Sequence, residues 1–157
     1  MELNKSARGL TYKAGKVKAI GVSNFKPYHI DEILEVCEIP PIVNQIEFHP
    51  SCLQAETRAY CKEKNIVVEA YSPLANGKVF QCEEIREIAE SCGVSVAQLC
   101  VKYALQHKTI PLVKSVTRES IKDNLKLDFT ISSEDMKILD AVSTCEGSYR
   151  DSDHIDF

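Results

Sequence analysis

Four short apolar runs recur along the chain, at Val17–Val22, Ile42–Phe48, Ile66–Tyr71 and Ile110–Val113. Each is rich in β-branched residues and bounded by turn residues or a helix start, the pattern of buried strands. Helical spacing fills the gaps. Pro27 can open a helix in which Ile30, Ile33, Leu34 and Cys37 fall at i, i+3, i+4 and i+7, and Pro40-Pro41 stops it. Gln54–Lys64 predicts a polar helix with Ala55, Ala59 and Tyr60 on its inner side. Ile85, Ile88, Ala89 and Cys92 form a further stripe ended by Gly93. Val96, Leu99, Cys100 and Tyr103 form the next, with Ser95 and Gln98 as a capping box. Thr117 can cap a helix to about Leu125, and Ser132, with Asp135 three residues on, one to about Val142. Ser143–Phe157 is a polar tail without periodicity.

Strand–helix alternation implies parallel strands with right-handed crossovers. Four units suit a small doubly wound sheet or part of a (β/α)8 barrel. A complete barrel typically takes ~250 residues and eight strands, so 157 residues with four strands exclude one of the usual kind. The predicted fold class is therefore α/β, in one domain over 1–157 with its tail at 143–157.

Composition narrows the function. Nineteen Lys+Arg against 23 Asp+Glu leave a net charge of −4, and there is no Trp. This balance argues against a nucleic-acid partner, which normally meets a basic patch. No run approaches the ~20 apolar residues that span a bilayer. The basic N-terminal segment (Lys5, Arg8, Lys13, Lys16, Lys18) lacks the apolar core of a secretory signal, which makes the cytoplasm the expected compartment. Seven cysteines include no C-x-x-C pair, so a zinc or dithiol site is not indicated. Cys37, Cys92 and Cys100, on apolar stripes, read as reduced core residues. Asp153-His154-Ile155-Asp156 reads as solvated tail rather than a metal cluster.

In parallel α/β folds, sites gather at the carboxyl ends of strands. The first run ends at Ser23-Asn24, the second carries Asn44, Gln45 and Glu47, the third ends at Tyr71-Ser72-Pro73-Leu74 and the fourth at Lys114-Ser115. Asn and Gln amides offer donor and acceptor to a ligand amide. A Tyr offers a flat face to a ring. A Lys beside a helix start suits a phosphate. Amide, ring and phosphate together describe a nicotinamide dinucleotide. Each group also has a plainer reading. Ser23-Asn24 could be a turn and cap, Gln45 could pair within the protein, Tyr71 could be core, and Lys114-Ser115 could be a solvated helix entry. Glu47 and His49 read as structural, satisfying neighbouring backbone. No G-x-G-x-x-G, Walker A, G-x-S-x-G or H-E-x-x-H motif occurs.

Gly15–Phe25 (GKVKAIGVSNF), Val43–Pro50 (VNQIEFHP), Glu69–Leu74 (EAYSPL) and Lys114–Thr117 (KSVT) resemble, in order and spacing, the signatures of the aldo-keto reductases. The resemblance runs from about Leu10 to Cys145. It implies part of a (β/α)8 barrel that binds NADP(H) in extended form and reduces aldehydes and ketones by hydride transfer. It further implies that Ser23, Asn24 and Gln45 hold the nicotinamide carboxamide and that Tyr71 stacks on the ring. Ser72, Leu74 and Asn76 would line the pyrophosphate path. Lys114, Ser115 and Thr117 would take the adenosine 2′-phosphate, and Asn124 the adenine. The family's catalytic Asp, Tyr, Lys and His have no counterparts here. The family's usual Arg near the 2′-phosphate aligns with Ser120, and 111–115 reads Pro-Leu-Val-Lys-Ser where Ile-Pro-Lys-Ser is commoner.

The resemblance thus implies the C-terminal half of a reductase, inactive alone and acting on a small carbonyl substrate only when completed. Uncovered sheet edges predict self-association or pairing with an N-terminal half. The alternatives are a non-catalytic NADP(H)-binding module and a half-barrel interaction subunit.

Overall fold

The computed structural model describes residues 9–145. The polar tail beyond Cys145, including the Asp153–Asp156 stretch, lies outside them, as do Lys5 and Arg8. Four strands, β1 (Gly21–Ser23), β2 (Val43–Glu47), β3 (Val67–Tyr71) and β4 (Ile110–Leu112), form one parallel sheet in the order β1-β2-β3-β4. Six α-helices follow or separate them: α1 (Pro27–Val36), α2 (Ala55–Glu63), α3 (Glu83–Ser91), α4 (Val96–Gln106), α5 (Arg118–Asp123) and α6 (Ser133–Ala141). Strand order equal to chain order is what successive βα units produce.

The described chain divides into two compact units. One takes the chain to Ile46 together with Gln54–Glu69; the other takes Glu47–Leu53 and the chain from Ala70 onward. In the first, α1 packs on α2, around Ile30, Ile46, Cys61, Ile66 and Val68. In the second, α3 packs against α4 and α6, over a core that includes Phe48, Val79, Ile85, Leu99, Tyr103 and Leu139.

Local chemistry accounts for the element ends. Pro27 occupies the first turn of α1, where its missing N–H is not needed. At α4, Ser95 Oγ accepts the Gln98 N–H at 3.2 Å while Gln98 Oε1 accepts the Ser95 N–H at 2.8 Å. Thr117 and Ser132 cap α5 and α6 through the N–H groups of Ser120 and Asp135.

Three local expectations are corrected. First, β1 begins at Gly21, and Val17 is exposed. The ladder starts where a partner exists: Gly21 pairs with Val43, the first residue of β2. An apolar run shows which side chains can be buried, not which backbone is paired. Gly21 itself is required by close approach, because a Cβ there would meet the Val43 carbonyl oxygen at 3.0 Å. Second, the inner face of α2 is Thr57 and Cys61, whereas Ala55 and Ala59 are exposed. A small polar hydroxyl and a thiol carried the burial that the alanines suggested. Third, a 3-10 segment at Ala75–Gln81 precedes α3, and no hydrophobic period announces it. Of the three cysteines expected in the core, Cys100 is fully buried and Cys37 and Cys92 are half-buried; all seven are free thiols.

Candidate functional site

The first unit brings Ser23, Asn24 and Gln45 together. β1 and β2 run side by side, with Ser23 opposite Gln45. The Ser23 hydroxyl donates to the Gln45 carbonyl at 3.0 Å. The Asn24 N–H donates to the same carbonyl at 2.9 Å. Asn24 then takes a left-handed conformation, φ 56°, which Asn tolerates better than most residues. This turn is what lifts the chain off the strand end.

Asn44 locks the turn from the other side. It is fully buried, and its Nδ2 donates to the Phe25 carbonyl at 2.8 Å while its Oδ1 accepts the Phe25 N–H at 3.3 Å. One strand, β2, therefore holds three successive residues of the loop, two through the Gln45 main chain and one through the Asn44 side chain. The Gln45 side chain, half-buried, donates from Nε2 to Glu69 Oε2 on β3 at 2.9 Å. Part of its hydrogen-bonding capacity is thus met within the protein.

The second unit carries two further sets. Tyr71 ends β3, half-buried, with its carbonyl accepting the Phe48 N–H at 3.3 Å. The chain after it is contorted: Ser72, Ala75 and Asn76 have φ of 49°, 46° and 53°. Left-handed Ser and Ala are uncommon, and such conformations concentrate where backbone is shaped for a purpose. Two tight bonds hold the segment, Ala75 N–H to the Ser72 carbonyl at 2.8 Å and Gly77 N–H to the Leu74 carbonyl at 2.7 Å. Leu74 leans on the unit's core, while Asn76 is exposed. After β4, Lys114 is exposed. Ser115 Oγ accepts from Asn124 Nδ2 at 2.9 Å, so the two ends of this segment meet. Thr117 caps α5, its hydroxyl also lying 2.8 Å from that of Ser120.

Glu47 and His49 are both buried, with Glu47 Oε1 3.4 Å from His49 Nε2. His49 Nδ1 lies 2.5 Å from the Pro50 carbonyl, and a backbone bridge joins His49 to Cys52. The two His49 contacts to main chain close the loop after β2. Burial pushes the Cys100 thiol up to about 12, with the neighbouring Cys145 and Cys82 adding to it. Burial likewise raises Cys61, against the Asn44 hydrogen bond. None of these thiols is an activated nucleophile. Among the described residues no cluster of His, Cys, Asp and Glu could hold a metal ion, and no helix is long and apolar enough to cross a membrane.

Two residues of the first site escaped the sequence reading as site components. Asn44 was visible as a polar residue in an apolar strand, but its partner, the main chain of Phe25, is known only once β1 and β2 are paired. Glu69 carries a subtler signal. It precedes Tyr71 by two, so both point to one face of β3, and a half-buried carboxylate there needs a partner.

A sequence profile for the Aldo/keto reductase family matches residues 10–144. Glyoxal reductase of Bacillus subtilis (strain 168) is 45% identical over 136 residues, covering 86% of this chain and 49% of the relative. Aldehyde reductase YPR1 of Saccharomyces cerevisiae is 43% identical over 142 residues, covering 88% of this chain and 45% of the relative. Among solved structures, the aldo-keto reductase MGS-M4 from a Medee basin deep-sea metagenome library superposes with a TM-score of 0.90 at 35% identity, covering 97% of this chain and 58% of that one. The silkworm aldo-keto reductase AKR2E5, complexed with NADPH, superposes with a TM-score of 0.79 at 29% identity, covering 91% and 46%. The chain spans about half the length of the curated relatives it matches. Its four βα units correspond to part of their (β/α)8 barrel.

Proposed function

The chain belongs to the Aldo/keto reductase family of oxidoreductases, and from that premise we propose that its strand ends bind NADP(H) for the reduction of aldehydes or ketones to alcohols. The observation that carries this reading is the Ser23–Asn24–Gln45 cluster. Ser23 ends β1, Asn24 follows it, and Gln45 lies opposite Ser23 in the middle of β2; hydrogen bonds fix their main chain, and the Nε2–Glu69 bond leaves Gln45 Oε1 to accept from a ligand. An acceptor there fits the NH2 of a carboxamide.

The remaining assignments follow the family resemblance. Tyr71 offers its ring face to the nicotinamide. Ser72, Leu74 and Asn76 line the pyrophosphate, where the left-handed backbone of the segment brings main chain close. Lys114 supplies charge to the 2′-phosphate, with Ser115 and Thr117 beside it and Asn124 toward the adenine. NADPH, when bound, supplies a hydride to the carbonyl carbon. A proton must then reach the alkoxide oxygen, and a positioned acid of suitable pKa does this efficiently. The four catalytic residues of the family have no counterparts among these 157 residues. On their own, these residues therefore hold the cofactor without turnover.

Association is part of the proposal. β1 and β4 are the terminal strands of the sheet. On β4, Ile110 and Leu112 are exposed, and Val116 just beyond is 87% exposed. Apolar side chains beside an open strand edge favour pairing with further strands. The occupant that supplies what the reaction lacks is a set of strands bearing the acid. A simple binding module is the second reading, favoured by the missing catalytic residues alone.

The test is to mix the purified chain with NADPH and an aldehyde such as glyoxal. The expected result is saturable NADPH binding without NADPH oxidation. Steady oxidation by the chain alone contradicts the division of labour, and absence of binding contradicts the cofactor assignment.

A further inference from the structure

We infer that Glu69 is a positioning residue that sets which end of the Gln45 amide faces the cofactor, and so makes the site selective for a ligand amide that donates. This rests on the NADP(H) reading above and names a specificity within it. Gln45 and Glu69 lie on adjacent strands, both half-buried, 2.9 Å apart from Nε2 to Oε2. A primary amide looks nearly the same to its surroundings in either flip. It turns over at little cost unless a neighbour distinguishes oxygen from nitrogen. An ionised carboxylate is such a neighbour, because it accepts and never donates. Only the NH2 of Gln45 can face it, and the bond is charge-assisted.

The rest of Gln45 is already fixed. Its carbonyl takes the Ser23 hydroxyl and the Asn24 N–H, and the Glu69 contact is what orients its side-chain amide. With Nε2 held by Glu69, Oε1 is the end of the amide left to accept. It matches the NH2 of a nicotinamide carboxamide and leaves an acetyl oxygen in the same place unpaired. Among the described residues no Lys or Arg forms an ion pair with Glu69, so its hydrogen bond to Gln45 is its structural partner contact. No feature of the apolar strand pattern around Ile66–Tyr71 asks for a carboxylate at this position.

The experiment compares NADP+ with its 3-acetylpyridine analogue, which keeps the ring, phosphates and adenosine but replaces the carboxamide NH2 by a methyl group. Both are titrated calorimetrically into the full chain and into Glu69→Gln. This variant has the same shape but can donate or accept, and so lets Gln45 turn. The wild type is expected to prefer NADP+ by about tenfold, the worth of one well-placed hydrogen bond, and Glu69→Gln to lose most of that preference.

A Glu69→Gln chain that keeps the wild-type preference overturns the inference. So does equal weakening of both ligands, which would make Glu69 a support of the fold. If the wild type binds neither dinucleotide, the cofactor reading itself fails, an outcome distinct from both. A second measurement needs no ligand. The Gln45 side-chain amide resonances, assigned by their loss in Gln45→Leu, are expected to shift in Glu69→Gln. Unchanged resonances contradict the Gln45–Glu69 contact.

Discussion

Asn44 and Phe25 exchange two hydrogen bonds, one from Asn44 Nδ2 to the Phe25 carbonyl at 2.8 Å and one from the Phe25 N–H to Asn44 Oδ1 at 3.3 Å. The amide of one strand thereby completes the main chain of the loop beyond the next. Because Asn44 is fully buried, the pair is shielded from competing water. Asn44→Leu keeps the branched shape but orphans both Phe25 groups. It is expected to lower stability by about 1–3 kcal/mol, read as a shift in the urea midpoint. It should also weaken NADPH binding, since Ser23 and Asn24 ride on that loop. A variant that loses neither would make the clamp incidental.

Phe48 and Tyr103 stack in the core of the second unit, ring centroids 5.5 Å apart and 6° from parallel. The Tyr103 hydroxyl donates to Asp140 Oδ1 at 2.5 Å, an oxygen that also lies 2.9 Å from His107 Nε2. Tyr103→Phe keeps the stack and removes only the hydroxyl. The expected cost is about 1–2 kcal/mol. Phe48→Ala, which opens a cavity, should cost about 3–5 kcal/mol. Thermal melts of the two variants give the order, and a larger loss from Tyr103→Phe would overturn it.

The Cys100 thiol titrates near 12 in the folded chain because burial opposes the thiolate. Its folded pKa lies above its ordinary value of 9.0, so the folded state holds this proton more tightly than the unfolded one. The resulting stability is fully present below about pH 9 and is lost as pH rises toward 12. Stability of the wild type is therefore expected to fall more steeply between pH 9 and 11 than that of Cys100→Ala. At pH 8, thiol alkylation followed by mass spectrometry should label Cys37 well before Cys100. Equal labelling rates would contradict the burial argument.

Much of this architecture was legible in the residues, for reasons that differ by element. The caps at Ser95, Thr117 and Ser132 were readable because an N-cap and its N3 partner lie within one turn of chain. The strands were located but not bounded, and the expectation that all four are buried fails at β4, where Ile110 and Leu112 are exposed. Val17–Ile20 carries β-branched residues around Lys18, yet the ladder begins only at Gly21 opposite Val43. The inner face of α2 was misjudged because Thr57 and Cys61 bury as well as alanine does when an amide such as Asn44, 3.6 Å from the Cys61 sulfur, lies beside them. For the site, Ser23 and Asn24 were visible as polar residues at a strand end and Gln45 as a polar residue within an apolar run. Asn44 and Glu69 were not recognised as their supports, because each acts on a residue 19 or 24 positions away. Only the pairing of strands makes those separations short.

The measurement that bears most directly on the cofactor assignment is a fluorescence titration of the purified chain with NADPH, repeated with Tyr71→Ala and Lys114→Ala. Saturable binding is expected. Either substitution should weaken it on the order of tenfold, with Lys114→Ala affecting NADPH more than NADH because the 2′-phosphate is absent from the latter. A chain that shows no saturable binding, or that binds equally well with both side chains removed, would contradict the assignment of these strand ends to a nicotinamide dinucleotide.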